Sequence, residues 1–331
     1  MKITILGAGA WGTALAISLS AKNDVVLWGR NQVLMSHLQA NRINQDYLPN
    51  ISFPQQLRAS SDFDFALKHA QNSGLLIVAS SVAGMRPILQ LCLPYQLRQI
   101  VWLCKGFEEK TQLLPHQIVR EILGDLVAGG ALSGPSFAQE VAKGLPCALT
   151  IASSSTELCQ QVVSAAHGKS IRVYTSDDVI GVEVGGAVKN ILAIATGIAD
   201  GLGLGLNARA ALMTRGLAEI SRLGVALGGL SETLMGLTGV GDLILTCTGD
   251  LSRNRKVGLA LAQGKSLTTI IDELGHVAEG VRCAQAVRSI AARLNVDMPI
   301  SDAVAGVLFD GVSAQQMIER LLARDAKSEG H

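Results

Sequence analysis

A glycine-rich run lies almost at the start of the chain, between a strand-like segment and a helix-like one. The sequence GAGAWG fills residues 7–12, after KITIL at residues 2–6 and before TALAI at residues 13–17. In a strand-turn-helix unit the first glycine makes the tight turn, the second lets backbone N–H groups approach a pyrophosphate, and the third lets helix and strand pack closely. The helix N-terminus adds free N–H donors and a positive dipole end. The run therefore predicts a dinucleotide-binding turn.

The same segment has two other interpretations. A secretory signal would combine Met1 and Lys2 with an apolar run and small residues, but three glycines interrupt the run. A second strand pattern at residues 25–28 also follows at once and completes a β-α-β unit. A glycine-rich turn without any ligand is the other alternative, and the glycines alone do not exclude it.

Composition argues against several classes of protein. Charges nearly cancel, with 28 Lys and Arg against 27 Asp and Glu, so no bulk charge favours nucleic acid or an anionic membrane. No uninterrupted apolar stretch reaches the roughly 18–20 residues of a membrane span. The six cysteines form no CxxC pair, and several lie within apolar runs. This usage predicts reduced thiols in a cytoplasmic protein, with neither a disulfide framework nor a metal site.

The hydrophobic pattern changes along the chain. After the β-α-β unit, continuous apolar runs at residues 75–79, 100–104, 127–132 and 148–152 predict strands of a parallel sheet covered on both faces. From about residue 179 the period becomes helical, and we predict helices at residues 179–199, at Asn207–Gly224 and over most of residues 294–322. Asn207 would be the N-cap and Gly224 the C′ residue of the second helix.

These patterns predict an α/β protein of two domains, which 331 residues can supply. Residues 1–178 would form a Rossmann-like, doubly wound dinucleotide-binding domain. Residues 179–331 would form an all-α domain that binds substrate and carries catalysis. The apolar, helical C-terminal half also leaves room for a homodimer interface.

The residue expected to hold the adenosine ribose departs from the usual NAD pattern. NAD-binding domains commonly place an acidic residue about 20 positions after the glycines. Here the second strand ends at Trp28 and is followed by Gly29, Arg30 and Asn31, with no acid. The guanidinium of Arg30 could pair with a 2′-phosphate, so the sequence tolerates NADP as well as NAD. The alternative is a solvated charge at a strand end.

Two lysines lie at positions where catalytic or ligand-binding residues are expected. Ligands of open α/β sheets bind beyond the carboxyl ends of the strands, where Lys105 follows one apolar run and the SGPSFA segment at residues 133–138 follows the next. Lys189 lies in an apolar helix, one turn after Gly185 and Gly186, which would let a planar ring approach it. Such a setting lowers the pKa of a lysine and suits it to proton transfer. The alternative is a lysine that snorkels from a partly buried helix.

A third cluster combines GVGDL at residues 239–243 with TCT at residues 246–248 and SRNRK at residues 252–256. Ser252 can cap a helix that runs to about Gln263, with Arg253 and Asn254 in its first turn. A capped helix start with an arginine and an amide is an anion site, and a phosphorylated substrate is its natural occupant. The alternative is an ordinary capped helix, although positive charge in its first turn opposes the helix dipole.

Taken together, these segments resemble bacterial NAD(P)-dependent glycerol-3-phosphate dehydrogenases. The matching segments are GAGAWGTALA, CKGFE, SGPSFAQEVAKGLP, GGAVKN, NARAALMTRGLAE, GVGDLILTCT and SRNRKVG, and they span nearly the whole chain in order. The resemblance implies the reversible reduction of dihydroxyacetone phosphate to sn-glycerol 3-phosphate, which feeds phospholipid synthesis. NADPH or NADH would be the cofactor, with NAD(P)+ in the reverse direction.

The resemblance also implies roles for individual residues. Lys189 would be the catalytic acid and base. The substrate contacts would be Lys105, Gly134, Ser136, Lys189, Asp242, Ser252, Arg253 and Asn254. The cofactor contacts would be Gly7, Gly9, Ala10, Trp11, Gly12, Arg30, Lys105, Ala138, Arg253, Val277 and Glu279. The family often has a Pro-Ser-His-like turn after the third core strand, whereas this chain has Ser80 and Ser81 there, so these two residues receive no role.

Two other functions remain open from the sequence. A two-domain dehydrogenase of the β-hydroxyacid or 6-phosphogluconate type also carries a helical lysine, but the SRN and GVGD segments argue against it. A nicotinamide-sensing regulator without turnover would need a partner-binding module or a basic DNA-reading helix, and neither is visible in the sequence.

Overall fold

The computed structural model describes residues 1–71, 74–275 and 278–325, so Val277 lies outside the described residues. The N-terminal part alternates strands and helices along the chain. Its elements are β1 (Lys2–Leu6), α1 (Ala10–Ser20), β2 (Asp24–Trp28), α2 (Gln32–Asn41), β3 (Ile43–Asn44), β4 (Leu48–Ser52), β5 (Arg58–Ser60), α3 (Phe63–Ala70), β6 (Leu75–Val78), α4 (Val82–Cys92), β7 (Gln99–Trp102), α5 (Pro115–Leu123), β8 (Ala128–Ser133), α6 (Ala138–Ala142), β9 (Cys147–Ala152), α7 (Thr156–Ala166) and β10 (Ile171–Ser176).

The C-terminal part is helical throughout its described residues. Its elements are α8 (Val179–Gly201), α9 (Gly205–Ala226), α10 (Ser231–Leu234), a π-helical turn (Leu237–Gly241), α11 (Asp242–Thr248), α12 (Arg253–Ala262), α13 (Leu267–Leu274), α14 (Glu279–Leu294), α15 (Pro299–Phe309) and α16 (Ala314–Leu322). The α/β class with an all-α second part is therefore confirmed, whereas the boundary at residue 178 stays a prediction.

Eight strands form one sheet in the order β10-β9-β8-β7-β6-β1-β2-β5. The chain order reverses between β1 and β6, which makes the sheet doubly wound and opens a crevice at the carboxyl ends of these two strands. The apolar runs are strands as predicted, and separate hydrophobic clusters cover the two faces of the sheet.

The sheet is mostly parallel as predicted, with one antiparallel pair at β9. This strand runs antiparallel to β8, with Leu132 opposite Ile151, while the other neighbours in the sheet are parallel. The link between the two strands holds only one short helix, α6, and antiparallel neighbours need no longer crossover. The apolar pattern could not reveal this direction, because a strand buried on both faces reads alike in either orientation.

Helix α8 is the core of the C-terminal part. Every residue from Gly181 to Ala199 is buried, and helices α9, α11, α12, α14 and α15 pack around it. By length and composition α8 is also the one described helix that could cross a membrane. However, 89% of its most apolar window is buried inside the protein, as in a core helix.

The predicted ends of the next helix were wrong. Helix α9 begins at Gly205 and ends at Ala226, so that Asn207 and Gly224 both lie inside it. A Cβ atom at Gly224 would lie 2.6 Å from Leu234 Cδ1, so this glycine serves close packing. The left-handed glycine beyond the helix end is Gly228, with a φ of +98°.

Glu219 on α9 caps α15 from outside that helix. Its buried carboxylate accepts hydrogen bonds from the N–H groups of Ile300 and Ser301 at 2.5 and 3.0 Å, and from the Ser301 hydroxyl at 2.8 Å. Burial raises the pKa of Glu219 to about 7, although these hydrogen bonds oppose the shift. The cap thus joins two helices through one titratable group.

This cap should make the stability of the protein depend on pH. Because the pKa in the folded state lies above the ordinary value of 4.5, the stabilisation is complete below about pH 4.5 and is lost as pH rises through about 7. We expect the free energy of unfolding, relative to that of Glu219→Gln, to fall by about 3 kcal/mol between about pH 4.5 and 8. Urea unfolding of both proteins measures this difference, and a difference that stays constant with pH would contradict it.

Candidate active site

The glycine-rich turn lies at the crevice where the strand order reverses. Gly7 has a φ of +131°, and a Cβ atom there would lie 2.6 Å from the carbonyl oxygen of Ala79, directly after β6. A Cβ atom at Gly12 would lie 2.0 Å from the Gly7 carbonyl oxygen, so helix and turn touch. At Gly9, by contrast, a Cβ atom would meet no atom within 4 Å. The turn therefore combines two packed glycines with one open one, as a pyrophosphate cradle requires.

The N-terminus of α1 is suited to binding an anion. Gly9 is its N-cap and supplies no side-chain cap, and the first turn carries no acidic residue. The first-turn N–H groups of Ala10, Trp11 and Gly12 have no carbonyl partner within the helix, as at any helix N-terminus. These donors, together with the dipole of α1, suit the pyrophosphate of a dinucleotide.

The other predicted cofactor residues lie around the same crevice. Arg30 is exposed two residues after the end of β2, and Asn31 caps α2 by accepting a hydrogen bond from Leu34 N at 3.1 Å. Trp11 and Ala138 are partly buried against the same hydrophobic cluster, since α1 packs on α6. Their contacts with a cofactor stay predictions.

Two lysine side chains from distant parts of the chain meet at Asp242. Lys105, which follows β7, donates from Nζ to Asp242 Oδ2 at 2.6 Å and to the Gly134 carbonyl at 3.4 Å. Lys189 on α8 forms an ion pair with Asp242 Oδ1. The Gly134 carbonyl also accepts from Ser136 Oγ at 3.0 Å. The structure therefore brings five predicted substrate residues together where the sheet edge meets the helical part.

Burial decides the electrostatics of this cluster. Lys189 is 5% exposed, and burial lowers its pKa to about 8 in spite of the attraction of Asp242, with Lys105 lowering it further. Burial alone would raise the pKa of Asp242, but the ammonium groups of Lys105 and Lys189 outweigh it and hold that pKa below its ordinary value. Lys189 is thus a buried lysine that can exchange a proton near neutral pH, as its apolar helix predicts.

The glycines before Lys189 have another role than the predicted one. A Cβ atom at Gly185 would lie 2.7 Å from the carbonyl oxygen of Thr238 in the π-helical turn. A Cβ atom at Gly186 would lie 3.4 Å from Lys105 Cγ. Protein atoms already occupy the space that a planar ring was expected to fill, so these glycines let α8 approach the π-helical turn and the Lys105 side chain.

Thr246 belongs to the third sequence cluster, but it received no role in the predicted site. It is buried on α11, where its Oγ1 accepts from Lys189 Nζ at 2.9 Å and donates to the carbonyl oxygen of Asp242 at 2.6 Å. Asp242 and Thr246 are four residues apart, which places them on one face of a helix. That spacing was the signal in the sequence that could have found it.

The Ser252–Asn254 segment begins α12 as predicted. Ser252 Oγ accepts from the N–H of Arg255 at 3.2 Å, which makes Ser252 the N-cap. The Arg255 side chain pairs with Asp200 and Asp250. The basic first turn is therefore partly neutralised by the protein and does not by itself require a ligand.

Asn254 ties three helices together beside Lys189. Its Nδ2 donates to Asn190 Oδ1 at 2.9 Å, and its Oδ1 accepts from Gly280 N at 2.9 Å. Glu279, the first residue of α14, is close to the Lys105 loop, since a Cβ atom at Gly106 would lie 3.9 Å from its Oε2. Burial raises the pKa of Glu279, although Arg282 and Arg253 oppose the shift. These contacts place α12 and α14 at the edge of the same crevice.

The fold and this crevice define a class of protein. A dinucleotide-binding turn lies at the switch point of the sheet, and a buried, proton-exchanging lysine from the helical part lies near Lys105, beyond the carboxyl end of β7 in the same sheet. This is the arrangement of a nicotinamide-dependent dehydrogenase. Comparison with known proteins identifies the family. Residues 2–159 match the model of the NAD-dependent glycerol-3-phosphate dehydrogenase N-terminus, and residues 178–319 match that of the C-terminus. The chain belongs to this family of NAD(P)-dependent oxidoreductases, as the resemblance implied.

Individual relatives agree with this assignment over the full length. The chain is 67% identical over 329 residues to a glycerol-3-phosphate dehydrogenase (NAD(P)+) of Herminiimonas arsenicoxydans, with 99% of both chains covered. It is 64% identical over 330 residues to that of Paucimonas lemoignei, covering 99% of this chain and 98% of the relative. The crystal structure of the Coxiella burnetii glycerol-3-phosphate dehydrogenase is similar with a TM-score of 0.93 at 41% identity, covering 97% of this chain and 98% of that one.

Proposed function

We propose that this protein catalyses the reversible reduction of dihydroxyacetone phosphate to sn-glycerol 3-phosphate with NADPH or NADH. The observation that carries the proposal is the pair of lysines, Lys105 and Lys189, which converge on Asp242 beyond the carboxyl end of β7, in the sheet whose β1 leads into the glycine-rich turn. The names of the full-length relatives support the same substrate and cofactors.

In this mechanism Lys189 transfers a proton to and from the substrate oxygen. The bound nicotinamide supplies the hydride that C2 of the substrate receives. An ammonium group has three donors, and the partners described for Lys189 Nζ are Asp242 and Thr246, which leaves one donor for the oxygen on C2. That donor stabilises the negative charge that develops on the oxygen and then transfers its proton. In the reverse direction neutral Lys189 accepts the proton.

Asp242 and Lys105 prepare the site for this transfer. The carboxylate of Asp242 lies between the two ammonium groups, so it fixes the direction of both. Lys105 adds positive charge close to the reacting oxygen and lowers the pKa of Lys189 further. Because the cluster is buried, these charges act with less screening than they would in water.

The start of α12 would hold the phosphate. Arg253 contributes a guanidinium, and the Ser252 hydroxyl has a proton to donate while its oxygen caps the helix. The amide of Asn254 is already bonded to Asn190 and Gly280, so its part is to set the position of α12 against α8 and α14. Anchoring the phosphate there aligns C2 with the nicotinamide.

A simple assay tests the reaction. The purified protein is mixed with NADPH or NADH and dihydroxyacetone phosphate, and the absorbance of the reduced cofactor is followed. We expect rapid loss of absorbance with dihydroxyacetone phosphate and little with other keto acids. Preferential consumption with those acids would favour a different dehydrogenase, and no consumption of either cofactor would favour a sensor.

Replacing Arg253 with alanine should mainly weaken substrate binding. We expect the KM for dihydroxyacetone phosphate to rise by roughly 10–100-fold, because a charge-assisted contact to phosphate is lost. The KM for the cofactor should change much less. Lys256→Ala is the matched control, since Lys256 is an exposed basic residue on the same helix. An unchanged substrate KM in Arg253→Ala would contradict the phosphate site.

The cellular setting follows from the reaction. We propose that the enzyme works in the cytoplasm and supplies sn-glycerol 3-phosphate to glycerophospholipid synthesis. A strain without the gene should then need glycerol 3-phosphate for growth. We also propose a homodimer, for which sedimentation of the purified protein is the direct measurement.

A further inference from the structure

Asn44 lies outside every motif of the predicted site, yet its side chain reaches the glycine-rich turn. It ends β3, in the antiparallel pair that β3 forms with β4, and it is fully buried. Its Nδ2 donates to the Ala8 carbonyl oxygen at 2.9 Å and to Thr13 Oγ1 at 2.8 Å. Ala8 belongs to the turn and Thr13 to the first turns of α1. One amide from the β3–β4 pair thus holds both sides of the turn.

A hydrogen bond to the amide oxygen fixes the orientation of the Asn44 side chain. Asn44 Oδ1 accepts a hydrogen bond from Tyr47 N at 3.3 Å, within the turn that links β3 to β4. Because the amide oxygen faces the hairpin, the NH₂ group faces the glycine-rich turn and donates both of its protons there. All the hydrogen-bonding groups of the Asn44 side chain are in use.

The Ala8 carbonyl lies between two backbone hydrogen bonds that anchor the turn. On one side Gly7 N donates to the Trp28 carbonyl at 2.8 Å, and on the other Thr13 N donates to the Gly9 carbonyl at 2.9 Å. Ala8 lies between these anchors and is buried, and within the described part of the chain its carbonyl receives its hydrogen bond from Asn44.

The direction of this carbonyl decides the direction of a cofactor donor. The carbonyl of Ala8 and the N–H of Gly9 belong to one planar trans peptide, so they point in opposite directions. Holding the carbonyl towards Asn44 turns the Gly9 N–H away from the hairpin. Gly9 is also the residue where a Cβ atom would meet open space.

We propose that Asn44 is a positioning residue for dinucleotide binding. It orients the Ala8–Gly9 peptide so that the Gly9 N–H faces the pyrophosphate, and it does this without touching the cofactor. The inference rests on the proposed function in one respect, the binding of NADPH or NADH at the glycine-rich turn.

The chain offers a matched control for this role in Asn23, at the other end of α1. Asn23 is also buried, and its Nδ2 donates to the carbonyl oxygens of Leu19 and Ala165 at 2.9 and 3.0 Å. Asn44→Ala and Asn23→Ala therefore each remove two hydrogen bonds that a buried amide donates to α1 or its surroundings. Only the first of them lies at the glycine-rich turn.

The test compares cofactor binding with stability in both variants. We expect the Kd and KM for NADPH to rise roughly tenfold in Asn44→Ala and to stay near wild type in Asn23→Ala. The kcat at saturating NADPH and the KM for dihydroxyacetone phosphate should change by less than about twofold in both. Without cofactor, the amides of residues 7–13 should exchange hydrogen faster in Asn44→Ala. Wild-type affinity for NADPH in a folded Asn44→Ala would overturn the proposal.

If Asn44→Ala does not fold, two substitutions of Thr13 test the same proposal with a smaller change to the structure. Thr13→Val removes one acceptor of the Asn44 amide, and Thr13→Ser keeps it. We expect the Kd for NADPH to rise about threefold in the valine variant and to return to wild type in the serine variant. Equal affinity in the two variants would overturn the role of Asn44. A wild-type protein that binds neither NADPH nor NADH would overturn the proposed function and the inference with it, which separates the two failures.

Discussion

Replacing Lys189 with methionine is expected to lower kcat for dihydroxyacetone phosphate reduction by about a thousandfold or more. Methionine keeps the length and the apolar contacts of the side chain, but it has no proton to give and no charge to stabilise the developing alkoxide. The Kd for NADPH should stay within a few-fold of wild type, because the glycine-rich turn is untouched. Stopped-flow reduction and fluorescence titration measure the two quantities separately.

The control for this variant is Lys110→Met, which removes an exposed lysine that follows the Lys105 loop. We expect it to retain wild-type kcat and wild-type cofactor affinity. Near-normal turnover in Lys189→Met would remove Lys189 from the mechanism. If NADPH affinity fell by the same factor as kcat, the substitution would instead have disrupted the folded structure.

The pH dependence of the wild-type enzyme follows from the same residue. Burial lowers the pKa of Lys189 to about 8, and ketone reduction needs its protonated form. The reduction rate should therefore fall as pH rises through about 8, while oxidation of glycerol 3-phosphate should rise over the same range. Substrate binding can shift the apparent value, so the opposite directions of the two profiles are the decisive observation.

Replacing Gly258 with alanine is expected to cause a large loss of stability in the helical part of the chain. A Cβ atom there would lie 2.1 Å from the carbonyl oxygen of Ile194, and the neighbouring Gly197 is equally close to the backbone of α12. Helices α8 and α12 cross at these two glycines, so the added methyl group must push the backbones apart. We expect a loss of about 3 kcal/mol or more in the free energy of unfolding.

The separation of the helices should also affect substrate binding. Because α12 carries Arg253 one and a half turns before Gly258, its displacement should raise the KM for dihydroxyacetone phosphate in any protein that folds. Gly306→Ala is the control, since a Cβ atom inside α15 would meet its nearest neighbour at an ordinary 3.4 Å. The free energy of unfolding of that variant should equal that of the wild type or exceed it by up to about 1 kcal/mol. Equal stability of the two variants would contradict the close crossing.

Much of the fold followed from local patterns. The turn at Gly7, the strands of the sheet and the helix beginning after Ser252 were predicted within a few residues, because each depends on neighbours in the chain. The direction of β9 was not predictable, since the apolar run carries no sign of its partner. The end of α9 was also missed, because Gly224 packs against Leu234, which no local pattern shows.

The predicted site was incomplete for a related reason. Thr246 and Asn44 are ordinary polar residues that owe their positions to packing. Thr246 reaches Lys189 across 57 residues of sequence, and Asn44 reaches Ala8 across 36. The four-residue spacing from Asp242 was the one local sign of Thr246, whereas no periodicity or spacing singles out Asn44 among the other asparagines.

The sequence by itself determined that the chain carries a dinucleotide turn, a lysine in an apolar helix and a capped helix start, and its similarity to known segments indicated the family. Only the tertiary structure decided how these parts work together. Asp242 lies between Lys105 and Lys189 because α8, α11 and the sheet edge pack against one another, and the resulting burial lowers the pKa of Lys189. The physical reason is that side-chain type and helix period are local, whereas desolvation and charge pairing depend on which distant elements meet.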